Sequence, residues 1–159
     1  MSKALMIKAK GRVAKRSLVK GMLAGLVGGL AAVVVKSAAE KFFAARTHGE
    51  AQTHTVLAER FPEKMGRLLT AGEELAAAEA IHWGIGAGAG AVYGGVAEYF
   101  PAATAKDGAS YGLALSTVTQ RFSGETEKTA LEKTSGMAAH LVYGVVTETV
   151  RRFVRKRLG

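Results

Sequence analysis

With 159 residues the chain has room for one domain or one small bundle. It holds no cysteine, which excludes a disulfide framework or a thiolate metal site. Its four histidines (His48, His54, His82 and His140) form no HExxH-type pair, which argues against a metalloenzyme. The net charge of +9 belongs to the two ends: residues 1–20 carry seven positive side chains, residues 151–159 carry five, neither stretch has a negative one, and the chain between them sums to −3.

Basic ends of this kind contact anionic lipid, an acidic partner or nucleic acid, or they mark the cytoplasmic flanks of membrane spans. Two cytoplasmic ends require an even number of crossings. Residues 1–17 therefore read as a basic cytoplasmic tail. No small-residue cleavage site followed by a soluble domain is evident after Val35, so a cleavable signal peptide is not expected.

The first predicted span covers 18–39. Its uncharged part, Gly21–Val35, is lengthened if Lys20 and Lys36 bury their stems and snorkel outward. Gly21, Gly25, Gly28 and Ala32 fall on one helical face, with Leu23, Leu26, Leu30 and Val33 opposite. This is the small-xxx-small pattern by which helices approach closely in lipid.

Residues 40–75 read as an extracytoplasmic loop, with TVLAERF and EKMGRLL as short amphipathic helices on either side of Pro62. The second span, 76–100, contains HWGIGAGAGAVYGGVAEYF, six glycines in nineteen residues with no proline. A glycine inside a helix in water costs up to about 1 kcal/mol relative to alanine. In lipid the backbone must stay hydrogen-bonded in any case, so glycine instead serves close packing. Gly84, Gly88 and Gly95 form one rail; Gly86, Gly90 and Gly94 form a second, with Ile81, Ile85, Val92 and Val96 outside both. Two rails imply neighbours on two sides, making this the central helix. A GxGxxG-like phosphate loop is not expected, because no strand precedes the glycines.

A tight turn around FPAATAKDG leads to a third span, 103–120, the least apolar of the four. After a charged connection at 123–136 the fourth span, 134–150, ends in a basic cytoplasmic tail, 151–159. The predicted fold is thus all-α, a multi-pass transmembrane bundle of four helices occupying 18–150.

Ionisable groups within spans face the bundle interior or water. Glu79, His82, Tyr93, His140, Tyr143 and Glu148 are the candidates, with the two histidines and two tyrosines expected to meet between the second and fourth helices. They serve either as interhelical ties or as a proton relay, since histidine titrates near neutral pH. Trp83, Tyr93, Tyr99 and Phe100 are candidates for the aromatic belts at headgroup level. The packing positions are Gly21, Gly25, Gly28, Gly84, Gly86, Gly88, Gly90, Gly94 and Gly144. Lys15, Arg16, Lys20, Arg151, Arg152 and Arg155 are expected to contact lipid headgroups or a partner. The fragment His82…Tyr93-Gly94…Glu98 is echoed by His140…Tyr143-Gly144…Glu148, with unequal His-to-Tyr spacing.

The order of KGMLAGLVGGLAAVVVK, HW at 82–83, GAVYG at 90–94, GASYG at 108–112 and HLVYGVVTETVRR at 140–152 resembles the YagU-like family of small bacterial inner-membrane proteins, a domain of unknown function. The resemblance covers the chain from about residue 17 onward and implies a multi-pass bundle in the cytoplasmic membrane, with no established catalytic activity. The charged RFSGETEKTALEKTSG departs from the more apolar, proline-rich loops expected there.

The functional expectation is a non-enzymatic structural or accessory membrane protein, packing through glycine faces against partner subunits or a second copy, with no cofactor and no metal. The alternatives are a proton-responsive or transport-type membrane protein using Glu79, His82, His140 and Glu148, and a soluble basic helical protein that binds nucleic acid. For the first reading nucleic acid is not an expected partner.

Overall fold

The structure, a computed structural model, describes residues 15–44, 70–123 and 130–159. Among these the fold is all-helical: α1 (Leu18–Ala44), α2 (Ala71–Tyr99), a 3-10 connector (Pro101–Gly108), α3 (Ala109–Ser123) and α4 (Ala130–Leu158). The first fourteen residues, the paired helices expected around Pro62 and the connection 124–129 lie outside the described residues.

Helix α1 begins where the Ser17 hydroxyl accepts a hydrogen bond from the Lys20 amide, at 3.4 Å. The start of α2 is set by a capping box: the Thr70 hydroxyl accepts from the Glu73 amide, and the Glu73 carboxylate accepts from the Thr70 amide. Pro101 stops α2, because proline pushes its predecessor out of helical geometry, and Phe100 sits at φ −120°, ψ 84°. The chain then reverses through Lys106 and Asp107, both at positive φ (52° and 54°), and Gly108 (φ 88°). Left-handed geometry costs a non-glycine residue about 1–2 kcal/mol. An ion pair between Asp107 and Arg152, at 2.8 Å, holds the turn.

Helices α1 and α2 run antiparallel, as do α1 and α4, and α3 and α4. The second and fourth helices therefore run in the same direction. The span expected at 103–120 is corrected: residues 103–108 belong to the connector, and the helix itself is fifteen residues, about 22 Å. The basic segment 151–158 is likewise not a tail but the last two turns of α4.

One helix among the described residues, Leu18–Ala39 within α1, is long and apolar enough to cross a membrane. The distribution of side chains is the fold's most telling property. Its interior holds Ala24, Ala32, Ala91, Ala97, Ser116, Thr147 and Glu148, whereas Leu23, Leu26, Val27 and Val34 on α1 and Ile85, Val92 and Val96 on α2 face outward. The largest fully buried side chain is a glutamate, and Val19 is 64% exposed.

Candidate functional site: glycine seams and an arginine–carboxylate end

Three glycines of α1 meet three of α2. A methyl group on Gly21 would lie 2.6 Å from the carbonyl oxygen of Gly94; one on Gly25 would strike the Gly90 carbonyl, and one on Gly29 the Gly86 carbonyl. Each step of four residues up α1 is matched by a step of four down α2, so the two backbones touch along about two turns. Side chains cannot be inserted there without parting the helices, since a Cβ does not approach backbone atoms so closely.

An adjoining face of α1 meets α4. A methyl on Gly28 would lie 2.5 Å from the Thr147 carbonyl oxygen, and Ala24 and Ala32, one turn away on either side, are fully buried. Expected as one rail, Gly21, Gly25, Gly28 and Ala32 thus divide between two neighbours, with Gly29 completing the α2 seam. Val33, expected outside, is buried against Gly86 and Tyr143. A third seam joins the end of the connector and α3 to α4: Gly108 and Gly144 each face the other's carbonyl, and Gly112 faces that of His140.

The helix with two small-residue faces in use is therefore α1. On α2 an added methyl would meet α1 backbone at Gly90 and Gly94 and the Val33 side chain at Gly86. Gly84 and Gly88 have nothing within 4 Å of an added methyl, and Gly95 meets only the side chains of Leu18 and Met22. Two glycine rails in sequence do not require two neighbours within one chain.

Polar groups gather around Glu148. Its Oε2 accepts from the Tyr93 hydroxyl at 2.8 Å and from Arg151 Nε at 2.6 Å; its Oε1 accepts from Arg151 Nη2 at 2.9 Å and Arg152 Nε at 2.5 Å. The carboxylate is wholly buried and fully partnered, as an interior charge must be. Arg152 Nη1 continues to Asp107, tying α4 to the connector. One turn further along, Arg155 holds Glu98 through Nε (2.9 and 3.0 Å) and Nη2 (2.5 Å), and Nη2 also donates to the Lys15 carbonyl at 2.9 Å. Glu98 also accepts from the Ser17 amide at 2.9 Å, so one carboxylate joins α2, α4 and the entry to α1. The carboxylates raise Arg152 and Arg155 above the ordinary guanidinium value, Glu148 and then Asp107 acting on the first and Glu98 on the second.

From the Glu148 tie a tyrosine column runs into the bundle. Tyr93 stacks on Tyr111 with ring centroids 4.1 Å apart, Tyr111 tilts against Tyr143 at 6.1 Å, and the Tyr143 hydroxyl donates to the Gly86 carbonyl at 2.6 Å. The Tyr111 hydroxyl is buried with no hydrogen-bond partner among the described residues. Tyr93 is thus an interior residue rather than part of an aromatic belt. Trp83, Tyr99 and Phe100 are exposed, and sixteen residues separate Trp83 from Tyr99 on α2, about 24 Å.

The histidines do other work than expected. His82 bonds the Ser37 hydroxyl on α1 at 3.1 Å; His140 bonds the Thr119 hydroxyl on α3 at 3.3 Å and the Gly136 carbonyl at 2.9 Å. They bridge α1 to α2 and α3 to α4. The tie joining α2 to α4 is made instead by the two tyrosines and Glu148. Glu79 is exposed and accepts from Trp83 Nε1 at 3.2 Å on its own helix.

Of the six basic residues expected to reach lipid or a partner, four are engaged inside the chain. Arg151, Arg152 and Arg155 hold carboxylates, and Lys20 Nζ donates to the main-chain oxygens of Leu158 (2.7 Å) and Gly159 (2.9 Å), capping α4. Lys15 and Arg16 remain exposed. Gly29, Gly108, Gly112, Tyr111 and Ser17 complete the site and were not among the candidates, while Glu98, visible in the sequence as the end of the His82…Tyr93-Gly94…Glu98 fragment, proves to be a central tie. The Glu148-x-x-Arg151-Arg152 spacing is a visible signal, because residues three and four apart share a helix face. Comparison of the chain with protein-family models, curated proteins and solved structures returned no match.

Proposed function

We propose that the chain is a four-helix integral membrane protein of the bacterial cytoplasmic membrane, non-enzymatic and structural or accessory in role, with its arginine-rich end on the cytoplasmic side. The observation that carries this reading is the inversion of inside and outside. The interior is glycine, alanine, serine, threonine, tyrosine, one valine (Val33) and a glutamate paired with arginine, while most leucines, valines and isoleucines of α1 and α2 face outward. Water drives large aliphatic groups inward; lipid supplies no such drive and rewards close backbone contact. The outward Trp83 and the Tyr99–Phe100 pair, about 24 Å apart along α2, suit the two headgroup levels of one bilayer.

The same reading includes the resemblance to the YagU-like family and a role for the outer faces of α1 and α2 in meeting partner subunits or a second copy. A proton-responsive role has less support. His82 and His140 bond Ser37 and Thr119 rather than Glu148, and Glu148 is saturated by Tyr93, Arg151 and Arg152.

Fractionation tests the proposal. The chain is expected to remain with membranes after washing with concentrated salt and with alkaline carbonate, and to dissolve only in detergent. Release by salt alone would contradict it and favour nucleic-acid binding, because phosphate contacts weaken steeply as salt rises.

A further inference from the structure

The arginine-rich end carries two classes of cation. Arg151, Arg152, Arg155 and Lys20 are committed within the chain. Lys15, Arg16, Lys156 and Arg157 are exposed, and no carboxylate among the described residues pairs with them. These four lie on the two segments that Arg155 and Lys20 fasten together: Arg155 binds the Lys15 carbonyl, and Lys20 binds the last residues of α4. The ties therefore bring two basic pairs, distant in sequence, to one end of the bundle.

Apolar side chains stand directly beside these charges. Leu18 and Val19 follow Arg16 and are exposed, Phe153 is 60% exposed, and the Arg157 guanidinium lies 5.0 Å from the centre of the Phe153 ring. A stacked arginine over an outward phenylalanine keeps its charge at the rim of an apolar surface. A nucleic-acid groove would present phosphate without acyl chain and would leave Leu18, Val19 and Phe153 in water. A phospholipid presents both, a phosphate above hydrocarbon.

We propose that Lys15, Arg16, Lys156 and Arg157 form a binding surface for the phosphate headgroups of anionic phospholipids, with Leu18, Val19 and Phe153 against the upper acyl chain. This rests on the membrane reading above and adds lipid selectivity to it. The internal ion pairs are what make the selectivity possible, since they leave the four outer cations without a counter-charge among the described residues. Juxtamembrane lysine and arginine attract anionic lipid over about a Debye length, so the preference is salt-dependent.

The test reconstitutes the full chain in phosphatidylcholine bilayers and measures the association of spin-labelled phosphatidylglycerol relative to spin-labelled phosphatidylcholine at the protein boundary. A preference of roughly two- to fivefold for phosphatidylglycerol is expected, falling toward one at high salt. The variant Lys15→Gln/Arg16→Gln/Lys156→Gln/Arg157→Gln is expected to insert normally and to lose the preference. Equal association of both lipids with the inserted native chain overturns the lipid surface while leaving the membrane reading intact. So does a preference unchanged in the variant. Failure of the native chain to insert, with binding to duplex DNA in solution, overturns both.

Discussion

The α1–α2 seam and the arginine–carboxylate end hold the same four helices by opposite means. Along the seam there is almost nothing: Gly21, Gly25 and Gly29 face Gly94, Gly90 and Gly86, and the contact is backbone on backbone. At the end there is a great deal, with Glu148 and Glu98 drawing three arginines, a tyrosine hydroxyl and a main-chain amide together. The first depends on the absence of atoms and tolerates no addition. The second depends on complete pairing and tolerates no removal. Close approach sets how near the helices lie, and the paired charges set which ends meet.

The largest effect should come from filling the seam. Gly25→Leu or Gly90→Leu forces a side chain into the facing backbone and is expected to prevent assembly of the bundle, a loss above about 4 kcal/mol, read as aggregation or failure to resist detergent unfolding. Next comes removal of a charge at the end. Glu148→Ala leaves Arg151 buried without its carboxylate and is expected to cost about 3–5 kcal/mol in detergent unfolding. A loss under about 1 kcal/mol would show that water replaces the carboxylate and that the end is not a closed network.

A smaller step is Tyr143→Phe, which deletes the bond to the Gly86 carbonyl and preserves the ring. About 1 kcal/mol is expected, and a much larger loss would place the tyrosine column, rather than the glycines, at the centre of stability. The smallest effect sharpens the contrast from the other side. Gly84→Ala and Gly88→Ala lie on the same helix as Gly90 but meet open space. They are expected to leave stability unchanged or to raise it by up to about 1 kcal/mol, as alanine does in an unobstructed helix. Destabilisation by either would reveal a neighbour on that face.

Much of this was legible in the sequence, in unequal degree. The gathering of charge at the two ends follows from counting. That Gly86, Gly90 and Gly94 share a face follows from the helical repeat. The division of α1 into two small-residue faces does not, because Gly28 and Gly29 are adjacent and a wheel cannot say which of them meets which partner. Register was equally hidden: nothing in a single chain tells that Gly21 lies opposite Gly94 or that Glu98 reaches the Ser17 amide, both being products of how α1 and α2 slide past one another. The Tyr-Gly dipeptide at 111–112 is visible in the sequence, but that the Tyr111 ring sits between Tyr93 and Tyr143 depends on how α3 docks and cannot be read from it. The capping box Thr70-x-x-Glu73 was there to be read and fixes the start of α2.

Absence of cysteine from the chain makes the decisive measurement simple. Single cysteines introduced at Leu26, Val92 and Val96, all outward-facing, can carry spin labels whose collisions with oxygen and with a water-soluble nickel chelate are compared in reconstituted bilayers. Lipid-facing placement of these side chains requires high oxygen access and low nickel access at all three. High nickel access at Leu26 and Val92 would mean that the aliphatic surface meets water, and the glycine seams would then have to be explained without a membrane.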